Sequence, residues 1–168
     1  DISQIAFTSA ALAPNGNVIF APYFQPNVGI YNPNTDTYTS VNTGFATAAR
    51  LFWGAALAPN GKIIFTPDRH SHIGIFDPIT EIYTNGPSDP TPNQAWYGSV
   101  LAPNGKIYFI PSWGTSNIGI YDPNNGPLGS LTLGPSTDPA SRPSAGGWQG
   151  GVLAPDGKII LIPSYSPN

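Results

Sequence analysis

The sequence predicts an all-β protein built from repeated antiparallel units, and three observations carry this prediction. One motif occurs four times, as LAPNGNVIFAP from Leu12, LAPNGKIIFTP from Leu57, LAPNGKIYFIP from Leu101 and LAPDGKIILIP from Leu153. The chain contains Gly 19 and Pro 20 times with 12% aromatic residues, a composition typical of turn-rich β structure when the aromatics recur at fixed intervals. After each of the first three motifs come two further apolar runs rich in β-branched or aromatic residues.

Each motif predicts a β-hairpin. An apolar run is followed by Ala-Pro-Asn-Gly or Ala-Pro-Asp-Gly and then by a β-branched and aromatic run. Pro suits the first corner of a type I turn, Asn or Asp tolerates the second, and Gly takes the positive φ that lets the strands pair again. Two antiparallel strands joined by a short turn are therefore expected in every copy.

The remaining elements follow in order along the chain. Residues 1–8 predict a short strand left over from a preceding unit. Third strands are predicted at 28–33, 73–78 and 118–123, and fourth strands at TYTSV, EIYT and LGSLTL. The fourth unit has only its hairpin before the sequence ends.

Four short antiparallel strands in ~40 to 50 residues are typical of a β-propeller blade. In a propeller the first strands converge on a central channel, and here they carry small residues at 9–11, 54–56, 98–99 and 150–151. We therefore predict a single β-propeller segment over residues 1–168, with about three and a half four-stranded antiparallel blades and units starting near 9, 54, 98 and 150. A β-solenoid coil is usually shorter, and a β-sandwich has no reason to repeat its sequence.

The third strands and their turns carry a resemblance to known blade types. YNPNTDTYT and FDPITEIYT resemble the tyrosine-aspartate-proline turn of Kelch-type blades, and the hairpin followed by NIGIYDP is similar to the repeats of YVTN-type surface-layer propellers. The resemblance implies a blade type without implying a function. The sequence differs from Kelch blades in having one Gly-Gly pair, at 150–151, and from the YVTN pattern in ending each second strand with Pro.

Three and a half units leave the closure of the ring open. Propellers use four to eight blades, and a partial ring exposes strand edges. A segment of a larger ring is the favoured interpretation. Self-association of two copies, which would make seven blades by counting units, and a small four-bladed ring completed by residues 1–8 are the alternatives.

Composition narrows the partners and the location. The net charge is −3, 9% of residues are charged, and no basic cluster occurs, which disfavours nucleic acid and anionic membranes as partners. No apolar run is long enough to span a bilayer, so membrane insertion is not expected. The chain has no Cys or Met and begins at Asp1, as a processed chain or a piece of a longer one would. We expect an extracellular or surface-displayed protein, secreted, on a cell or on a virion.

Chemistry-bearing clusters are scarce. His70 and His72 lie in the crossing loop DRHSH beside Asp68, an arrangement that could hold a cation, but no third ligand is evident. Asp77 and Asp122 lie in Asp-Pro turns, where capping of backbone amides accounts for them. We therefore predict no catalytic residues, no metal and no cofactor. Trp53, Trp96 and Trp148 precede the small residues of first strands and are expected to wedge between blades.

Polar and aromatic residues in the crossing loops point to a ligand. The loops between second and third strands and the connections between units should emerge on one face, called the loop face here. Aromatics interleaved with amides and hydroxyls suit the stacking and hydrogen bonding of sugar rings or polar peptide. The predicted ligand-binding residues are Tyr23, Phe24, His70, His72, Trp113, Asn117 and Tyr165.

Two functional classes remain. The first is a non-catalytic binding or scaffold propeller that recognises a glycan or protein. The alternative is a propeller enzyme, a hydrolase or lyase acting on a carbohydrate or small ligand at the channel mouth. An enzyme should bring several titratable groups to that mouth, and the sequence offers few, so the binding protein is preferred.

Overall fold

The structure, a computed structural model, describes residues 5–45, 50–91, 96–112, 116–136 and 147–164. These residues form fourteen strands. They make three four-stranded antiparallel sheets and one two-stranded sheet, each with its strands in sequence order from one edge to the other. The prediction of an all-β propeller segment with about three and a half blades is confirmed. None of the described residues belongs to a helix long and apolar enough to cross a membrane.

Each sheet is one blade. Blade 1 contains β1 (Phe7–Leu12), β2 (Val18–Pro22), β3 (Asn27–Asn32) and β4 (Thr37–Asn42). Blade 2 contains β5 (Phe52–Leu57), β6 (Ile63–Pro67), β7 (His72–Asp77) and β8 (Ile82–Ser88). Blade 3 contains β9 (Trp96–Leu101), β10 (Ile107–Pro111), β11 (Asn117–Asp122) and β12 (Ser130–Ser136). Blade 4 contains β13 (Trp148–Leu153) and β14 (Ile159–Pro163).

The hairpin turns form as their residues predict. In blade 3 the Gly105 amide donates to the Ala102 carbonyl at 2.9 Å, and the Asn104 side chain accepts from the Lys106 amide at 3.1 Å. Gly105 has φ of 78°, a left-handed conformation that strains any residue with a Cβ. The other three hairpins repeat this geometry, which fixes the register of the two inner strands in every blade.

The turns between third and fourth strands are held by side-chain caps. The Asp77 carboxylate accepts from the amides of Ile79 and Thr80 at 2.9 and 3.3 Å. Those amide hydrogen bonds lower the pKa of Asp77 below its usual value. In blade 3 the Lys106 ammonium lies 3.1 Å from the Asp122 carboxylate. The capping interpretation of the Asp-Pro turns therefore holds, and the lysine after the hairpin turn reaches the same turn.

The inner strands lie side by side around the channel, in the order β1, β5, β9, β13. A Cβ placed on Gly54 would lie 3.2 Å from the Gly98 Cα, and one on Gly98 would lie 3.3 Å from the Gly150 Cα. Larger side chains would therefore push the blades apart. This close approach explains why small residues were found where the first strands were expected to converge.

The ends of several strands differ from the sequence prediction, and the first strands show a consistent shift. First strands begin at Phe7, Phe52, Trp96 and Trp148, about two residues before the predicted unit starts. Phe7 pairs with Pro22 in blade 1, so the prediction that residues 1–8 form a leftover strand is wrong for its described end. The aromatic residue belongs to the strand because it pairs with the proline that closes the second strand.

Candidate functional site

A bulge recurs at the start of every first strand and shapes the channel mouth on the loop face. Pairing shifts between Phe7 and Ala10 in β1, and between Phe52 and Gly54 in β5, with matching irregularities at Trp96 and Trp148. A bulge leaves one residue unpaired and re-aims its side chain. The residues after the opening aromatics are Thr8, Trp53, Tyr97 and Gln149, which all line one cavity of about 280 Å³, called the channel-mouth cavity here.

Aromatic rings form a continuous row beside this cavity. Trp53 and Tyr97 stack with their centroids 4.4 Å apart and their planes 17° apart. The Tyr23 ring meets Trp53 edge-on at 5.3 Å, and Phe24 meets Tyr23 edge-on at 4.6 Å. The row connects blades 1, 2 and 3, so it depends on the packing of blades rather than on one segment of chain.

A second cavity is also lined by the stacked pair. It has a volume of about 230 Å³ and is called the side cavity here. Its lining consists of Ile5, Tyr23, Phe24, Arg50, Trp53 and Tyr97. Trp53 and Tyr97 therefore contribute to both cavities, one lined mainly by small and polar residues and the other mainly by rings.

Arg50, which lines the side cavity, forms an ion pair with Asp68. The Arg50 Nε lies 2.7 Å from the Asp68 Oδ2, while its N–H points to the Tyr23 hydroxyl oxygen at 2.5 Å. The contact with Asp68 is therefore ionic rather than a directional hydrogen bond. The Arg50 Nη2 also donates to the Tyr97 hydroxyl at 3.4 Å. Arg50 thus holds two rings of the row in place while its charge is balanced by Asp68.

Burial shifts the pKa values of Asp68 and Tyr23. The Asp68 side chain is fully buried, and this burial raises its pKa, although the Arg50 charge opposes the rise. Burial and the nearby Asp68 raise the pKa of Tyr23 to about 12. The Tyr23 hydroxyl therefore stays protonated. The Arg50–Asp68 pair contributes no net charge when Asp68 is ionised.

The predicted site residues do not all meet at this place. Tyr23 and Phe24 lie in the row of rings and line the side cavity. His70 and His72 lie in blade 2, and Asn117 begins β11 in blade 3. Trp113 and Tyr165 fall outside the described residues.

The two histidines have structural contacts. The His70 ring packs against Phe45 and Phe52 with centroids 4.4 and 5.1 Å apart, and its Nδ1 is 2.8 Å from the His72 carbonyl oxygen. Burial lowers the pKa of His70, so its neutral form is favoured. His72 contacts the Ser71 hydroxyl at 3.0 Å. Within the ranges that the structure describes, no group of three or more His, Asp or Glu side chains could hold a metal.

Asn117 links strands of blade 3. The side-chain Nδ2 of Asn117 donates to the Gly134 carbonyl oxygen at 3.0 Å. The backbone carbonyl oxygen of Asn117 accepts from the Trp96 indole N–H at 3.2 Å. These bonds fix the end of β11 against β12 and the core. Asn117 therefore has a structural task in addition to the predicted ligand contact.

Four residues of the row and its ion pair were not among the predicted ligand-binding residues: Arg50, Trp53, Asp68 and Tyr97. Trp53 was expected to wedge between blades, but its neighbour Phe52 is the fully buried residue, and Trp53 is only partly buried. Trp96, the equivalent of Phe52, is fully buried as expected. The recurring pairs FW, WY and WQ before Gly could have indicated the partly exposed residues, because adjacent residues in a strand face opposite sides of the sheet.

Comparisons with known proteins identify the fold. No family model matches the sequence, and no curated protein matches it at the sequence level. Among solved structures, virginiamycin B lyase from Staphylococcus aureus is 18% identical with a TM-score of 0.73, over 91% of this chain and 47% of the lyase. An auxiliary nutrient binding protein from Bacteroides ovatus is 19% identical with a TM-score of 0.64, over 92% of this chain and 46% of that protein.

A third neighbour is the extracellular domain of a proposed one-component system from B. thetaiotaomicron. It is 12% identical with a TM-score of 0.68, over 95% of this chain and 20% of that one. At such identities the likeness establishes the fold alone: the chain is a β-propeller segment. The chain spans about half the length of the lyase and of the nutrient binding protein. The resemblance to Kelch-type and YVTN-type blades stays at the level of their turn and strand motifs.

Proposed function

We propose that this propeller segment is a non-catalytic binding module that recognises a neutral glycan, or a polar segment of a protein, on its loop face. The observation that carries the proposal is the stacked pair of Trp53 and Tyr97, which lines both the channel-mouth cavity and the side cavity. A partly exposed ring next to small and polar residues lets an apolar sugar face stack while hydroxyl groups bond nearby.

Charge balance favours a neutral ligand. Arg50 is the cation that lines the side cavity, its side chain is 27% exposed, and its charge is paired with the fully buried Asp68. An anionic ligand would have to compete with Asp68 for the guanidinium. A neutral ligand can instead accept hydrogen bonds from the guanidinium and the Tyr97 hydroxyl without breaking the pair.

The proposed site therefore combines residues that the structure brings together with residues that were predicted from the sequence alone. Tyr23, Phe24, Arg50, Trp53 and Tyr97 form its centre. Five further residues remain proposed ligand contacts: His70, His72, Trp113, Asn117 and Tyr165. We also propose an extracellular location, since one structural neighbour is described as an extracellular domain and another as a nutrient binding protein. No neighbour named above is described as a virion protein, so virion display is left out.

A binding experiment tests the proposal. The protein is applied to arrays of neutral oligosaccharides and of polar peptides, and the compounds that bind are titrated by tryptophan fluorescence. Trp53→Ala is expected to weaken binding by ~1 to 3 kcal/mol, the range for truncating an aromatic hot spot, because the stacking surface is lost. Tyr108→Ala removes a partly buried ring in β10 and should leave the affinity unchanged. Unchanged binding for a folded Trp53→Ala protein would contradict the proposed site.

An enzymatic role is the second candidate, and the Tyr23, Arg50 and Asp68 group is the observation that favours it. A buried carboxyl group with a raised pKa beside a cation is a feature of active sites. However, Asp68 is 0% and Tyr23 only 3% exposed, so neither reaches a ligand without movement of the loops. Incubating bound oligosaccharides with the protein and analysing them by mass spectrometry tests this role. Cleavage that is abolished by Asp68→Asn would favour the hydrolase or lyase.

A further inference from the structure

Five asparagines of this chain are followed by a glycine, and such pairs can react with themselves. They are Asn15, Asn60, Asn85, Asn104 and Asn125. The glycine peptide nitrogen attacks the side-chain carbonyl carbon of the asparagine, and the absence of a Cβ on glycine lets the two atoms approach. The attack also needs a peptide N–H that is not engaged and a backbone that can bring the two atoms together. The surroundings of each pair therefore decide whether it reacts.

The three pairs in the hairpin turns are held by two hydrogen bonds each. The amides of Gly16, Gly61 and Gly105 donate to the alanine carbonyl three residues earlier, at 3.0, 2.9 and 2.9 Å. The asparagine Oδ1 in each pair accepts from the backbone amide two residues later, at 3.1, 3.2 and 3.1 Å. The attacking nitrogen is thus engaged and the side chain is fixed, so the turn has to open locally before it can react.

The pair in β8 is held by the sheet. Asn85 lies opposite Gly74 in the pairing of β7 with β8. Gly86 is buried, and a Cβ placed on it would lie 2.7 Å from the Ile73 Cγ1. The Asn85 Oδ1 accepts from the Tyr83 hydroxyl at 3.0 Å. Rotating the peptide between Asn85 and Gly86 toward the side chain would disturb the strand pairing, so the folded blade opposes the reaction.

The fifth pair lies in the turn between β11 and β12, and its glycine amide is not engaged. Asn125 and Gly126 are both exposed. The Asn125 amide donates to the Asp122 carbonyl at 3.4 Å, and Gly126 follows one residue beyond this bond. The Gly126 N–H has no acceptor within the described part of the chain. In the same part, the Asn125 side chain makes one hydrogen bond, from its Nδ2 to the Ser130 hydroxyl oxygen at 2.9 Å.

We propose that Asn125 is a site of spontaneous deamidation in the folded protein. The Gly126 nitrogen loses its proton and forms a bond to the Asn125 Cγ. The bond between Cγ and Nδ2 breaks, and Nδ2 leaves as ammonia with the proton. Water then opens the resulting cyclic imide at one of its two carbonyl carbons, which gives aspartate or isoaspartate. The reaction needs only water, and neither an oxidant nor a reductant takes part.

The modification changes a turn that lies away from the proposed binding site. An aspartate at position 125 adds a negative charge to the turn that contains Asp122, whose carboxylate is paired with Lys106. An isoaspartate lengthens the backbone of this turn by one carbon atom. Since Asn125 lines neither the channel-mouth cavity nor the side cavity, deamidation is independent of the function proposed above.

Incubation of the protein at mildly alkaline pH tests the proposal. Samples taken over time are digested, and fragmentation mass spectrometry measures deamidation at each asparagine. In the folded protein Asn125 should react about tenfold or more faster than the other four, because its glycine nitrogen is free to approach the side chain. In urea that unfolds the chain, the five rates should become similar. Equal rates in the folded protein, or the same advantage of Asn125 in urea, would overturn the proposal.

Gly126→Glu tests whether the glycine is required. The same turn position, four residues after the end of the third strand, holds Asp36 in blade 1 and Glu81 in blade 2, with φ of 51° and 56°. The turn therefore accepts a side chain, which should obstruct the attack and slow deamidation of Asn125 about tenfold or more. Glu81→Gly, the reverse change in blade 2, is the matched control and should leave the rate at Asn125 unchanged.

An unchanged rate at Asn125 in folded Gly126→Glu would overturn the proposal. Gly126→Asp, which introduces the residue of blade 1, repeats the test if circular dichroism shows that Gly126→Glu does not fold.

Discussion

At the scale of single residues, the Arg50–Asp68 pair determines the charge of the loop face. Asp68 loses its solvent shell on folding, and a carboxylate without water must be compensated by a nearby cation. Arg50 provides that charge and also donates to the hydroxyls of Tyr23 and Tyr97. Removing Asp68 would leave Arg50 free to attract anions to the side cavity.

The pH dependence of stability tests the environment of Asp68. Burial raises its pKa above the ordinary value of 3.8, so the folded state binds this proton more tightly than the unfolded state. The stability of the wild type relative to Asp68→Asn should therefore be greatest below pH 3.8 and fall as the pH rises through the raised pKa. Urea denaturation of both proteins at several pH values measures the difference.

Asp36→Asn, which makes the same charge change at an exposed site, is the control for Asp68→Asn. A relative stability that rises with pH over the same window would mean that the Arg50 charge outweighs the burial of Asp68. The pKa in the folded state would then be lowered instead of raised.

At the scale of strands and turns, local sequence determined most of what could be predicted. The hairpins, the third strands and the Asp-Pro caps depend on residues a few positions apart, such as Asn104 and Gly105 or Asp77 and Ile79. The bulge that separates Phe52 from Trp53 depends on pairing with β6, so the sequence of β5 alone did not predict it. Ser112, which follows β10, is fully buried for a similar reason, since tertiary packing covers it.

A pair of glycine substitutions tests the hairpin turn. Gly105 has φ of 78°, and a Cβ there would meet nothing closer than the Pro59 Cγ at 3.7 Å, so Ala would be strained by its backbone alone. Gly105→Ala should lower the free energy of unfolding by ~1 to 2 kcal/mol. Gly150 has no positive φ and open space around its Cβ position, so Gly150→Ala should be neutral or stabilising by ~0.4 to 1 kcal/mol. Equal urea midpoints for the two variants would argue against the turn.

At the scale of the whole molecule, the radial arrangement of blades brings the residues of the proposed site together. The repeat and the small residues of the first strands predicted this arrangement, because side chains larger than those of Gly54 and Gly98 would not fit where strands converge. The row of rings could not be predicted in the same way. Arg50 reaches Tyr23 and Tyr97 from positions 27 and 47 residues away in sequence, so their contact exists only once three blades have packed.

Nuclear Overhauser effects between glycine protons measure the radial arrangement directly, without any substitution. One Hα of Gly54 points in the direction in which a Cβ would lie 3.2 Å from the Gly98 Cα, and one Hα of Gly98 points in the direction in which a Cβ would lie 3.3 Å from the Gly150 Cα. Cross-peaks between the Hα protons of Gly54 and Gly98, and between those of Gly98 and Gly150, are therefore expected in spectra of the isotope-labelled protein. No cross-peak is expected between Gly54 and Gly150, because the inner strand of blade 3 lies between them. Absence of the first two cross-peaks, or an equally strong cross-peak between Gly54 and Gly150, would contradict a ring of blades around a central channel.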